Sequence, residues 1–171
     1  TENFSAGERP SSKGTKTMTV NRDHLAQAIR LARDNVLDKG GRPFGAVLVK
    51  DGRVLATGVN EMLATHDPSA HAEMQAIRVA AAALKTTRLD GCVMYASGHP
   101  CPMCLSAIHM TGIQEVYYAY SNEDAEKYGM STARIYAEMA KPVSQQSIRV
   151  EHVPAPGNGE SPFDCWQRTK T

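Results

Sequence analysis

The order of strand-like and helix-like patterns along the chain is the feature that most restricts its fold. FGAVLVKDGRVLATG, residues 44 to 58, predicts a hairpin, because two apolar runs flank Asp51-Gly52, a dipeptide typical of two-residue turns. Three further strands are predicted by short apolar stretches, at 92–96, 116–119 and 147–153. Helical patterns lie around them, near 23–36, 69–84, 102–111 and 123–139 and in the terminal PFDCWQ. This alternation predicts an α/β fold, a three-layer α/β/α sandwich whose mixed central sheet has about five strands.

The length and composition fit one globular domain. The chain has 171 residues, of which 42% are hydrophobic and 22% charged, which is enough for one domain with its own core. We expect residues 18–171 to form that domain. Residues 1–17 are rich in Ser, Thr, Gly and Lys and predict an N-terminal arm without a core. Met18 can serve as a start, so part of this arm is expected to be foreign to the natural protein.

Charge and hydropathy exclude several classes of partner. The formal net charge is +1 and the pI about 7.7, so the chain has no strong field for nucleic acid or anionic membranes. No apolar run approaches the roughly 20 residues of a membrane span, and the N-terminus has no signal-like apolar stretch. Four cysteines with one Cys-x-x-Cys pair then fit a reducing cytoplasm better than a disulfide framework.

SGHPCPMC, residues 97 to 104, predicts a metal or redox site. Pro102 is favoured as the first residue of a helix, which places Cys101 and Cys104 on one side of the first turn. The partial positive charge at a helix N-terminus stabilises thiolates, the form required by both zinc and nucleophilic chemistry. His99 is a poor partner, because Pro100 forces it toward an extended conformation and wrapping it onto the same ion needs a strained turn.

SAHAEMQAI, residues 69 to 77, supplies a better third ligand. His71 and Glu73 open the Ala-rich helix, and both can approach one ion only if it lies beyond the helix N-terminus. Two helix starts would then face one metal through His71, Cys101 and Cys104. Three protein ligands and an open fourth position for water are the arrangement of a catalytic zinc, and Glu73 can exchange protons with that water.

Together, His71-Ala72-Glu73 and Pro100-Cys101-Pro102-Met103-Cys104 form the signature of zinc deaminases. The chain therefore resembles the cytidine-deaminase-like superfamily. It is most similar to the bacterial guanine deaminases, over about residues 20 to 168. The segments that carry this second resemblance are GGRPFGAVLVKDG (40–52), TGVN (57–60), DPSAHAE (67–73), PCPMCLSAIH (100–109) and SPFDCW (161–166).

The resemblance implies a function and a set of site residues. It implies one zinc per chain on His71, Cys101 and Cys104, with Glu73 as the catalytic proton shuttle and ammonia as the released product. Asn60 would hydrogen-bond the base, Phe44 would wall the pocket, and Ala72 would also contact the substrate. The substrate would be a free nucleobase or a related aminated heterocycle. The family also implies a homodimer, in some members with an exchanged C-terminal segment around SPFDCW.

Two positions depart from the guanine deaminase pattern. Thr132 stands where an acidic residue would read the purine, and His99 stands where Glu is common before Pro-Cys. A hydroxyl accepts hydrogen bonds from a base more weakly than a carboxylate. These departures therefore leave the identity of the substrate open, and it could be a different aminopurine, a pterin, a triazine or a pyrimidine. The acidic run Glu123, Asp124 and Glu126 could supply the carboxylate instead.

Other functions remain as alternatives. The same zinc chemistry serves tRNA adenosine deaminases and cytosine or nucleoside deaminases, although the former need a basic surface that the net charge does not indicate. Cys-Pro-Met-Cys at a helix start is also typical of thiol–disulfide oxidoreductases, but that function leaves the His-Ala-Glu motif unexplained. A binding module with a structural zinc would need a fourth protein ligand.

Overall fold

The structure is a computed structural model that describes residues 20–154 and 159–170, so the N-terminal arm predicted at 1–17 lies outside the described residues. The chain divides into two compact units, one ending at Ala133 and one beginning at Arg134. Within the described ranges, no helix has both the length and the apolar character needed to cross a bilayer. The expectation of a single deaminase domain over 18–171 stays a prediction.

The first unit holds a sheet and most of the helices. In chain order its elements are α1 (Arg22–Lys39), β1 (Arg42–Lys50), β2 (Arg53–Asn60), α2 (Met62–Thr65), α3 (Ala72–Leu84), β3 (Cys92–Gly98), α4 (Pro102–Thr111), β4 (Glu115–Tyr120) and α5 (Asn122–Glu126). The sheet order is β2-β1-β3-β4, with β1 antiparallel to both neighbours and β3 parallel to β4. The prediction of a mixed sheet is confirmed.

Helices cover both faces of this sheet, as the three-layer prediction requires. On one face Ala28 of α1 packs against Val47, Val93 and Tyr95. On the other face, residues of α3 and α4 pack against β1 and β3 in a second buried cluster, which includes Leu48, Ala76, Ala80, Met94 and Ile108. Because side chains alternate along a strand, β1 and β3 are apolar on both faces, and this explains their nearly continuous burial.

Two glycines of the hairpin let the helices approach the sheet closely. The hairpin turns at Asp51 and Gly52, whose φ angles of 50° and 76° match the turn predicted from that dipeptide. A Cβ atom on Gly58 would lie 2.1 Å from the carbonyl oxygen of Ala72, at the start of α3. A Cβ atom on Gly45 would lie 2.4 Å from the carbonyl oxygen of Ala28 in α1. Only glycine fits at these two contacts without moving a helix.

The second unit, together with the residue before it, holds short helices. They are α6 (Ala133–Met139), a 3₁₀ helix at Val143–Gln145 and α7 (Pro162–Arg168), whose N-cap is Ser161. The strand predicted at 147–153 is wrong, because this segment has no strand and the described sheet has four strands rather than five. Its apolar side chains are exposed, with Ile148 at 70% and Val150 at 65%. These alternating apolar side chains therefore do not cover a buried face of a sheet.

Candidate metal centre and active site

Two helix starts place the candidate ligands. His71 is the N-cap of α3 and Cys101 is the N-cap of α4, and neither side chain caps its own helix. An N-cap side chain usually accepts a hydrogen bond from the first turn, so here the imidazole and the thiol are available for another partner. Pro102 occupies the first turn of α4, as predicted, and Cys104 follows in the same turn. The positive ends of both helices favour thiolate at this point.

The separations of the three ligand atoms fit a zinc ion. The Cys101 Sγ lies 3.4 Å from the His71 Nδ1 and 3.6 Å from the Cys104 Sγ, and the Cys104 Sγ lies 3.6 Å from the same nitrogen. Ligands of a tetrahedral zinc, at Zn–S of about 2.3 Å and Zn–N of about 2.0–2.1 Å, stand about 3.8 Å apart for two sulfurs and about 3.5 Å apart for sulfur and nitrogen. Within the described part of the chain, this is the one cluster of three His, Cys, Asp or Glu side chains with such spacing.

The two thiols are hydrogen-bonded to each other. The hydrogen bond between them lowers the pKa of Cys101 and raises the pKa of Cys104. The hydrogen bond between Cys101 and His71 also raises the pKa of the imidazole. A divalent cation would replace these protons, because thiolate and neutral imidazole are the forms that bind metal.

Glu73 lies against this group and is nearly excluded from solvent. Its side chain is 6% exposed, and its Oε2 lies 3.5 Å from the Cys104 Sγ. Burial raises the pKa of this carboxyl above its ordinary value, because a charge is poorly solvated there. A carboxyl with a raised pKa, held next to a candidate metal, can both take up and release a proton.

The residues expected to contact the substrate occupy two places. Asn60 ends β2 and is buried, and its side-chain oxygen accepts a hydrogen bond from the Met62 main-chain nitrogen at 3.3 Å. Phe44 lies in β1 and contacts Gly98, where an added Cβ atom would lie 3.1 Å from the ring. Phe44 also lines a cavity of about 220 Å³ whose wall includes His99. In the sequence, His99 is two residues before Cys101.

A hydrogen-bonded network joins the two positions that depart from the guanine deaminase pattern. The side-chain amide of Asn122 donates to the His99 Nδ1 at 2.7 Å, and its oxygen accepts from the main-chain nitrogen and the hydroxyl of Thr132, at 2.9 and 3.2 Å. The His99 ring stacks on Tyr118, with centroids 4.6 Å apart. The sequence did not indicate Asn122 as a site residue, because an asparagine at a helix start belongs to no motif that predicts a distant hydrogen-bond partner.

The structure separates His99 from the metal ligands and brings the others together. His71, Cys101 and Cys104 converge as predicted, whereas His99 is not part of this group and accepts a hydrogen bond from Asn122. Of the acidic run, Asp124 accepts a hydrogen bond from the Ser121 main-chain nitrogen in the capping box of α5 and also lines the cavity. That carboxylate already stabilises a helix start.

Comparison with known proteins agrees with this geometry. Residues 18–120 match the family described as the cytidine and deoxycytidylate deaminase zinc-binding region. The chain belongs to this family. The guanine deaminase of Bacillus subtilis (strain 168) is 41% identical over 143 residues, covering 84% of this chain and 91% of that protein. The tRNA-specific adenosine deaminase of Aquifex aeolicus (strain VF5) is 32% identical over 130 residues, covering 76% of this chain and 83% of that protein.

Solved structures extend the likeness to the fold. The crystal structure of the guanine deaminase from Bacillus subtilis has a TM-score of 0.79 and 39% identity, covering 88% of this chain and 95% of that chain. Another structure, of a mutant in complex with 8-azaguanine, has a TM-score of 0.61 and 28% identity, covering 64% of this chain and 63% of that chain. The deaminase described here is therefore a guanine deaminase-like, zinc-dependent hydrolase of C–N bonds with a His-Cys-Cys zinc site.

Proposed function

We propose that this deaminase hydrolyses the exocyclic amine of a free purine-like base and that Glu73 carries the protons. The observation that supports this most strongly is the buried Glu73 carboxyl beside three groups spaced for zinc. Zinc, when bound, supplies a Lewis acid that makes water a nucleophile near neutral pH. His71, Cys101 and Cys104 would hold it.

Glu73 performs the proton transfers in this proposal. It accepts the proton released when water adds to the amino-bearing ring carbon, and it returns a proton to the amine that leaves as ammonia. Its burial favours the protonated form after the first transfer, which keeps the proton at the site for the second. No other side chain needs to titrate for the reaction to balance.

Three further residues hold the base. Asn60 offers a buried amide, which can donate to a ring nitrogen or carbonyl of the substrate. Phe44 offers an aromatic face that packs against a flat heterocycle. Ala72 opens α3 between His71 and Glu73, so its main chain lies next to the reacting groups. These contacts exclude water from the ring and orient the amine.

The network around Asn122 bears on which base is accepted. Since the Thr132 hydroxyl donates its hydrogen to Asn122, the oxygen can offer only lone pairs to a substrate. An uncharged acceptor binds the N–H groups of guanine more weakly than a carboxylate would. We therefore expect guanine to be a substrate, but with less discrimination against other aminopurines, pterins and aminotriazines. The support from relatives is the guanine deaminase of Bacillus subtilis and the homologue that binds 8-azaguanine.

The test is ammonia release from the zinc-loaded protein over a panel of guanine, adenine, cytosine, their nucleosides, a pterin and an aminotriazine. Glu73→Gln is the matched control, since it keeps the size of the side chain and removes the proton carrier. We expect it to retain zinc and to lose about 100-fold or more of the turnover, the scale of general acid–base catalysis. Unchanged turnover in this variant would refute the role of Glu73. If the wild type releases no ammonia from any compound of the panel, the proposed substrate class is refuted.

The tRNA-specific relative from Aquifex aeolicus supports a second candidate, deamination of an adenosine in RNA. The net charge of +1 argues against it, because RNA binding depends on neutralising phosphates. Fluorescence anisotropy with a labelled anticodon stem-loop at two salt concentrations decides the matter. Binding that weakens steeply with salt, together with inosine formation, would favour this candidate.

We also propose that the deaminase is a homodimer that works in the cytoplasm. Support for a second copy comes from α7, whose Phe163 and Trp166 are 84% and 59% exposed, since aromatic residues exposed in this way are typical of interfaces. Light scattering of the wild type and of Phe163→Ser would show a dimer and its weakening. Support for a reducing compartment comes from the four free cysteines among the described residues. Cell fractionation tests that location.

A further inference from the structure

The loop between β2 and α3 joins two residues of the proposed site. It begins after Asn60 and ends at His71, and its two ends are bonded to each other, since the Glu61 main-chain nitrogen donates to the Ala70 carbonyl at 2.9 Å. The Gln75 main-chain nitrogen donates to the His71 carbonyl at 2.9 Å, as the first turn of α3 requires. The position of His71 therefore depends on how the two ends of this loop are held.

Five side chains tie the loop to the outer face of α3, and we name them the 61–78 clamp. At one end, the Gln75 amide donates to the Glu61 carboxylate. In the middle, Arg78 donates to the Gln75 amide oxygen and to the Ser69 hydroxyl, each at 2.8 Å. At the other end, the Ser69 hydroxyl donates to Asp67 at 2.6 Å, and that carboxylate lies 3.8 Å from the Arg78 guanidinium. The clamp thus connects α3 to the loop near both ends of the loop.

The direction of the hydrogen bonds makes Gln75 the residue that cannot be replaced by an acid. Its amide nitrogen faces the Glu61 carboxylate, and its amide oxygen faces the Arg78 guanidinium. A carboxylate at position 75 would keep the bond to Arg78 but would oppose Glu61, and two carboxylates at hydrogen-bond distance repel each other. Exchanging the two residues, so that Gln stands at 61 and Glu at 75, restores a donor facing an acceptor. The contact between Arg78 and position 75 is kept.

We propose that the 61–78 clamp is a positioning device for the metal centre, which holds His71 at the distance from Cys101 and Cys104 that zinc requires. None of the five clamp residues belongs to the group of three candidate metal ligands. They act through the main chain of the loop, in the way that outer-shell groups fix the orientation of a metal ligand. This inference rests on the proposed function only in that the site binds zinc.

The test compares four variants: Gln75→Glu, Glu61→Gln, the double variant with both changes, and Gln114→Glu. The last makes the same chemical change at an exposed glutamine outside the clamp. The readout is the rate of zinc release from the folded protein into a colorimetric chelator at 25 °C, with the thermal midpoint of each variant recorded in parallel. Deamination of the panel described above is measured separately.

We expect Gln75→Glu to release zinc about 10-fold faster than the wild type, the lower end of the range for outer-shell changes. Glu61→Gln and Gln114→Glu should release zinc near the wild-type rate, and the double variant should return toward that rate. The thermal midpoints separate this effect from a loss of stability, because Gln75→Glu should release zinc faster at a temperature well below its own midpoint. The proposal would be overturned if Gln75→Glu released zinc at the wild-type rate. It would also be overturned if the double variant released zinc as fast as Gln75→Glu.

The two proposals fail in different ways. If the wild type retains zinc but deaminates nothing in the panel, the proposed substrate is wrong, and the release rates still decide the role of the clamp. If the wild type binds no zinc, both proposals fall. If turnover is present and only the release pattern is absent, the clamp alone is refuted.

Discussion

Replacing Gly58 with alanine tests whether the close approach of α3 to the sheet sets the geometry of the metal centre. The added Cβ atom would lie 2.1 Å from the Ala72 carbonyl oxygen and 2.7 Å from the Ala76 main-chain nitrogen. Ordinary contacts of this kind are about 3.4 Å or longer, so the start of α3 has to retreat by about 1 Å. That part of α3 carries His71, Ala72 and Glu73.

The size of the effect follows from this displacement. Overpacking of a close-packed core costs about 1–3 kcal/mol, and for a protein of this size each kcal/mol lowers the melting temperature by about 2–4 °C. We therefore expect the melting temperature of Gly58→Ala to fall by about 2–12 °C. A displacement of about 1 Å at the reacting groups can reduce turnover by about 100-fold, so activity should fall more than the loss of stability explains.

Gly45→Ala is the matched control, because it makes the same change on the other face of the sheet. Its Cβ atom would lie 2.4 Å from the Ala28 carbonyl oxygen, so it displaces α1, which carries none of the metal ligands. Both variants should melt earlier by similar amounts in differential scanning calorimetry. Only Gly58→Ala should release zinc faster at a temperature where both are folded. Equal zinc release from the two variants would show that the approach of α3 does not set the site.

Three further predictions concern the metal and the core. Cys104→Ser should abolish stoichiometric zinc in the purified protein, measured by atomic absorption, whereas Cys92→Ser, a buried thiol outside the ligand group, should retain it. Asn35→Ala should lower the free energy of unfolding, measured by urea titration, by about 1–3 kcal/mol. The Asn35 amide donates to two main-chain carbonyls at 2.9 Å, and both would lose their donor. An unchanged urea midpoint would contradict this prediction. Leu48→Ala should cost about 2–5 kcal/mol in the same titration, because the side chain is fully buried, and Leu37→Ala on an exposed helix face should cost far less.

The parts of the fold that depend on local chemistry were predictable from the sequence. Asp51-Gly52 specified the hairpin because the two positive φ angles of its turn favour these residue types. Pro102 specified the start of α4 because its missing N–H is harmless at that position. The Ala-rich helix begins at Ala72 rather than near residue 69, because Ser69 bonds to Asp67 in a turn and His71 takes the N-cap position.

The error at 147–153 shows where local patterns stop being informative. SIRVEHV alternates apolar and polar residues as a half-buried strand does, but a strand also needs a partner edge and a core to cover one face. Alternation reports neither of these. The exposed Ile148 and Val150 show that the pattern has no buried face in the structure.

The candidate site divides in the same way. His71, Cys101 and Cys104 were predictable because each motif fixes a helix start, and zinc chemistry restricts how two such starts can combine. The contacts of Asn122 with His99 and of Gln75 with Glu61 join residues 23 and 14 positions apart. Asparagine, glutamine and glutamate are common on surfaces, so nothing in their own sequence neighbourhood indicates these partners.

The convergence of His71 with Cys101 and Cys104 has a consequence for the lifetime of the molecule. These ligands are 30 and 33 residues apart in the chain, so an ion held among them acts as a cross-link that spans β3. An ion that binds only the native state stabilises it by mass action, by about 2.7 kcal/mol when its free concentration is 100 times the dissociation constant. Resistance to proteolysis therefore follows the zinc supply. Under zinc starvation, we expect the cell to lose the protein along with its activity.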